Sequence, residues 1–155
     1  MRRVHSETSD PIEDLIRNWA CLSQLGYSFR GIKRKRLQPT GNFYRRFVFL
    51  THRASRSIEI SNFYANDLGP IFVNNLEASK KLSFPSFCVE DWLDYHATDL
   101  PEELSRKEYL KLVFSTKESG VEPVLEFLER LFLGPLKPIL TGETWENIPW
   151  DDTYK

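Results

Sequence analysis

The chain has 155 residues, of which 41% are hydrophobic and 14% aromatic, with a formal net charge of −1; this composition lies far from the low-hydrophobicity, high-charge regime of disordered chains. One domain over residues 1–155 is expected, large enough to bury roughly 68–70% of the surface its unfolded chain exposes. No stretch approaches the roughly 18 consecutive apolar residues of a membrane span, and no apolar run of signal-peptide length follows Met1-Arg2-Arg3, so a cytoplasmic protein is expected.

Asp10-Pro11-Ile12-Glu13 combines an N-cap, a first-turn proline and a carboxylate three residues after the cap. Ile12, Leu15, Ile16, Trp19 and Leu22 follow at spacings of three and four, and Gly26 supplies a stop. The pattern predicts one helix over about residues 11–25.

The period then changes to two. Strands are predicted at Tyr27–Leu37, Phe43–Thr51 and Arg56–Asn62, joined by Pro39-Thr40-Gly41-Asn42 and by Arg53-Ala54-Ser55, which makes an antiparallel meander. Phe43, Phe47 and Phe49 share one face of the middle strand with Arg45, and Tyr44, Val48 and Leu50 share the other with Arg46. Neither face is cleanly polar, so both are expected to be partly covered. A fourth strand is expected at Ile71–Asn75 after the turn Asn66-Asp67-Leu68-Gly69-Pro70, and a weaker fifth at Leu82–Phe84.

Helical signals return from Val89. A short helix carries Trp92, Leu93 and Tyr95, Ser105-Arg106-Lys107-Glu108 reads as a capping box, and Val121, Val124, Leu125, Leu128, Leu131 and Phe132 recur at helical spacing. The tail 141–155, with Trp145 and Trp150, is too aromatic for a disordered end and is expected to pack back. The fold class read from this order is α+β: an N-terminal helix, a meander of four to five strands, and C-terminal helices packed on the sheet.

Catalytic signatures are absent. His5, His52 and His96 lie far apart with no metal-ligand spacing, Cys21 and Cys88 read as buried reduced thiols, and no phosphate-binding loop or nucleophile elbow occurs. No cofactor, no metal site, no small-molecule substrate and no enzymatic activity are expected.

Charge, by contrast, is strongly segregated. Arg30 to Arg56 contains nine basic residues and no acid, whereas Cys88 to Glu103 contains six acids and no Lys or Arg. The acids Glu90, Asp91, Asp94, Asp99, Glu102 and Glu103, with Trp92 and Tyr95 among them, have the character of a docking surface for a cationic protein, or of a merely solvated face. Arg34, Arg36, Arg45, Arg46 and Arg53 beside Phe and Tyr offer the alternative of nucleic-acid binding, although strand alternation divides Lys33 and Lys35 from Arg34 and Arg36. A charged edge strand that resists aggregation explains the basic run equally well.

Leu25-Gly26-Tyr27, Phe47-Val48-Phe49-Leu50, Ile58-Glu59-Ile60, Phe87-Cys88-Val89-Glu90-Asp91-Trp92-Leu93 and Pro138-Ile139-Leu140-Thr141-Gly142-Glu143-Thr144-Trp145, in this order of elements, resemble the small cytosolic immunity proteins that bacteria encode beside contact-dependent or polymorphic toxins. The resemblance implies a non-enzymatic binder whose partner is a cognate toxin domain, often a nuclease, covered at its active site. On that expectation the partner-binding residues are Glu90, Asp91, Trp92, Asp94, Asp99, Glu102 and Glu103.

Overall fold

The computed structural model describes residues 11–36, 43–63, 67–77 and 85–149. The order of elements is α1 (Pro11–Arg17), α2 (Ala20–Gln24), β1 (Ser28–Arg36), β2 (Phe43–Thr51), β3 (Arg56–Asn62), β4 (Ile71–Asn75), β5 (Ser86–Cys88), α3 (Val89–Tyr95), a 3-10 turn (Glu102–Leu104), α4 (Arg106–Phe114), α5 (Thr116–Ser119), α6 (Glu122–Leu133) and α7 (Lys137–Leu140). This is an α+β arrangement.

The single N-terminal helix read from the sequence is two. Asn18 donates both its backbone N–H and its side-chain amide to the Asp14 carbonyl, at 3.1 and 2.9 Å, and Trp19 then turns extended at ψ 111°. An Asn side chain competing for a helix carbonyl breaks the ladder. Beyond it, α2 ends as the sequence indicated: Gly26 sits at φ +87°, Tyr27 N–H reaches the Leu22 carbonyl at 2.9 Å and Gly26 N–H that of Ser23 at 3.0 Å. These paired bonds close a Schellman motif that needs a residue free to adopt positive φ. The proposed N-cap Asp10 lies outside the described residues.

All five strands are antiparallel and lie in chain order, β1-β2-β3-β4-β5. β2, β3 and β4 fall where the two-residue period placed them. The fifth strand expected at Leu82–Phe84 lies outside the described residues, and the strand that pairs with β4 is Ser86–Cys88.

Register aligns two apolar rows across the sheet. Phe29, Phe49, Ile58, Val73 and Phe87 form one, and Ile32, Phe47, Ile60 and Ile71 the other. Both rows face the helices and join Ile12, Ile16, Leu22, Leu93, Phe127, Leu128, Leu131 and Ile148 in one core. α6 contributes most because its apolar positions fall on one stripe: Val124, Leu125, Phe127, Leu128, Leu131 and Phe132 are buried while Glu122, Glu126 and Arg130 face out. The other sheet face carries Val48, Leu50, Glu59, Phe72 and Asn74, all half-buried.

The Ser105 cap is present, its hydroxyl accepting the Glu108 N–H at 3.2 Å. The part of the tail within the described residues packs inward: Trp145 lies 5.3 Å from the Phe87 ring and Ile148 is buried. Trp150 and residues beyond it lie outside the described residues.

Candidate interaction surfaces

A meander in chain order converts position in sequence into position across the sheet. The basic run therefore occupies β1 and β2 at one edge, and the acidic run follows β5 at the other. With strands about 4.8 Å apart, the two charged regions stand at opposite margins of one body.

The acidic segment is held on a fixed backbone. Val89, Trp92, Leu93 and Leu104 are buried, and the intervening turns are closed by Ala97 N–H to the Asp94 carbonyl (3.2 Å), Asp99 N–H to His96 (2.9 Å) and Ser105 N–H to Glu102 (3.1 Å). Asp94, Asp99, Glu102 and Glu103 face solvent from this frame, and Tyr95 beside them is 59% exposed. Among the described residues no cation of the chain pairs with Asp94, Glu102 or Glu103.

Three members of the expected set are buried or half-buried. Trp92 is only 3% exposed, its indole donating to Glu146 Oε1 at 3.1 Å, so it anchors the segment from inside and presents nothing outward. Glu90 is half-buried and accepts Arg106 Nη2 at 2.7 Å and Nε at 3.2 Å. Asp91 is half-buried as well. The exposed aromatic of this segment is Tyr95.

The basic residues are divided. Arg34 faces Arg45 across β1 and β2 on the helix side, Lys33 faces Arg46 on the other, and Arg53 stands in the β2–β3 turn at the far end of β2. Arg45 Nη1 lies 3.9 Å from Glu13 and its Nε donates to Asn62 Oδ1 at 2.8 Å. Arg46 lies 3.7 Å from Glu59 and over the Phe72 ring at 4.7 Å. Arg34 and Arg36 are exposed on β1. The five arginines named for nucleic acid thus do not make one patch.

Two residues with large structural roles were not legible as such. Arg56, counted in the basic run, is 1% exposed. Its Nε donates to the Ile139 carbonyl (2.9 Å), Nη2 to Thr144 (3.0 Å), and Nη1 to the Ala54 and Ser55 carbonyls and to Asn75 and Glu77 side chains (3.1–3.3 Å), with the Trp145 ring 5.2 Å away. It ties the tail to β3. Its two-residue spacing from Ile58 and Ile60 was the available signal for burial. His96, whose spacing carried no ligand signal, is clasped: Nε2 lies 2.6 Å from Glu146 Oε2, Nδ1 lies 3.6 Å from Asp99, and the ring packs on Trp92 at 4.4 Å.

Burial pushes the Cys88 thiol up to about 11 and the Cys21 thiol to about 12, the second also raised by the Glu129 charge. Neither is poised as a nucleophile at neutral pH. Cys88 lines a concavity of about 190 Å³ with Glu90, Tyr109, Leu110 and Phe114, small beside the roughly 300–1,000 Å³ of ligand sites. Among the described residues no group of three or more His, Cys, Asp or Glu is arranged to hold a metal, and no helix is long and apolar enough to cross a membrane. No protein-family model, curated protein or solved structure matches the chain.

Proposed function

We propose that this protein is a specific protein-binding inhibitor that docks a cationic partner domain on the acidic segment 94–103, the role that resemblance to toxin-neutralising immunity proteins implies. The observation that carries the reading is a fixed backbone presenting Asp94, Glu102 and Glu103, which among the described residues have no cations of their own, beside an exposed Tyr95. Uncompensated acids raise the association rate with an electropositive surface, and a nuclease active site is such a surface because it must attract phosphate. Tyr95 adds an aromatic anchor of the kind that interface centres favour. Prepaid ordering matters equally: Trp92, Leu93 and Leu104 hold the segment before any partner arrives, which lowers the entropic cost of association.

The test starts from the protein that the immobilised chain captures from its own host. Asp94→Lys/Glu102→Lys/Glu103→Lys is expected to slow association with that protein at least about tenfold and to flatten its salt dependence. Tyr95→Ala is expected to speed dissociation. Association unchanged by the triple reversal would place the interface elsewhere.

A further inference from the structure

We infer a second interaction surface: the outer edge of β1 accepts an extended acidic segment of a partner protein by strand addition. Among the described residues no strand pairs with that edge, and an edge of this kind is a template for strand addition. From Gly31 to Arg36 the ladder with β2 is regular, and only the bulge between Phe29 and Gly31 interrupts it. At Gly31, φ is +144° and nothing stands within 4 Å of where a Cβ would point, so the sheet face beside the edge is uncovered there.

Charge selects the occupant. Arg30, Lys33, Arg34 and Arg36 are exposed along β1. Edge strands often carry such cations merely to repel other strands, but a guard requires charge only on the edge. Here the second strand is cationic too, with Arg34 opposite Arg45 and Lys33 opposite Arg46, and like charges facing across a ladder cost stability. On β2, Arg45 lies 3.9 Å from Glu13, which also pairs with Arg17 at 2.9 Å, and Arg46 lies 3.7 Å from Glu59. Among the described residues Arg30, Lys33 and Arg34 face no carboxylate. A second copy of β1 would bring cations against cations, whereas an acidic strand supplies the missing partners.

A single-stranded nucleic acid is the weaker occupant, because the rings it would stack on are already engaged. Phe29 lies against Phe49 at 5.4 Å and under the Arg17 guanidinium at 4.6 Å, and Tyr44 lies against Phe63 at 5.0 Å. The half-buried Phe29 and Ile32 would gain apolar cover from an added strand.

The surface is testable apart from the acidic one. A capped peptide of alternating glutamate and threonine, as long as β1, is titrated while backbone amide shifts and hydrogen exchange are followed. The expected result is protection confined to residues 28–36, weakened at least about tenfold in Lys33→Glu/Arg34→Glu and by raised salt, with no effect from a lysine–threonine peptide. The double variant should melt no lower than the parent and still capture the partner of the acidic segment. Protection that persists undiminished in the variant overturns the proposal, as does binding of poly(dT) at β1 in place of the peptide. Absence of any change at β1 reduces its cations to an aggregation guard.

Discussion

The two margins of the sheet carry opposite charge, and they also differ in how they are built. At the β5 margin the chain is stapled: Trp92, His96 and Glu146 join α3 to the tail, and Arg56 joins the tail to β3. At the β1 margin no further strand follows among the described residues, and Arg30, Lys33, Arg34 and Arg36 are exposed. Ordering one margin takes buried polar bonds of high individual cost when broken. The other margin stands on ladder bonds with β2 and on the half-buried Phe29 and Ile32.

Arg56 should therefore show the largest effect in the molecule. Arg56→Met keeps apolar bulk but removes the guanidinium bonds to Glu77, Asn75 and four carbonyls, and removing one member of a buried charged network costs about 3–5 kcal/mol. Urea unfolding should record that loss, and amide exchange should speed at 143–149 before it speeds at β1. A loss under about 1 kcal/mol would mean that the six acceptors find other donors once the guanidinium is gone.

Thiol chemistry sharpens the same contrast. Cys88 on β5 is displaced from 9.0 to about 11 by burial, which leaves roughly a hundredfold less thiolate near neutral pH than an unperturbed thiol would have. Ser28→Cys places a thiol at an exposed β1 position. A disulfide reagent at about pH 8 should consume the introduced thiol promptly and reach Cys88 and Cys21 only on unfolding. Because burial holds both thiols above the ordinary value of 9.0, the folded state holds protons that the unfolded chain releases. The thiol contribution to stability is complete below about pH 9 and declines as pH rises toward 11 and 12. Prompt labelling of Cys88 in the folded protein would contradict the sealed margin.

Glu146→Gln comes next. It keeps an acceptor for the Trp92 indole but removes the negative charge facing His96, so a loss of about 1 kcal/mol is expected. In a cycle with His96→Ala the two losses should not add. Additive losses would show that the 2.6 Å contact contributes nothing of its own.

What could be read from residues alone follows from the kind of signal each feature leaves. β2, β3 and β4 were legible because a two-residue period survives over seven, or even five, residues, and Ser105 because a cap is a local chemical device. The break at Asn18 was hidden, since Ile12, Ile16, Trp19 and Leu22 keep helical spacing across it. A fifth strand of three residues is too short to show a period. The opposed charges were visible because a meander preserves sequence order in space; the burial of Arg56 was masked by eight basic neighbours, and that of Trp92 by six acids. Contacts such as Trp92 with Glu146 span 54 residues, and no local pattern encodes them.

The smallest effect has the opposite sign. Arg34 faces Arg45 across the ladder while Glu13 and Asn62 already engage Arg45 from the other side. Arg34→Glu replaces a repulsive cross-strand pair with an attractive one, so the isolated protein should become more stable by a few tenths of a kcal/mol at low salt. Raising the salt should shrink the gain, since position 34 is exposed to screening. A residue whose reversal stabilises the free chain and weakens strand addition is retained at a cost to folding, as residues of binding surfaces often are. A clear destabilisation by Arg34→Glu would instead show that Arg34 supports the sheet itself, and the contrast between a stapled margin and an open one would fail at that strand.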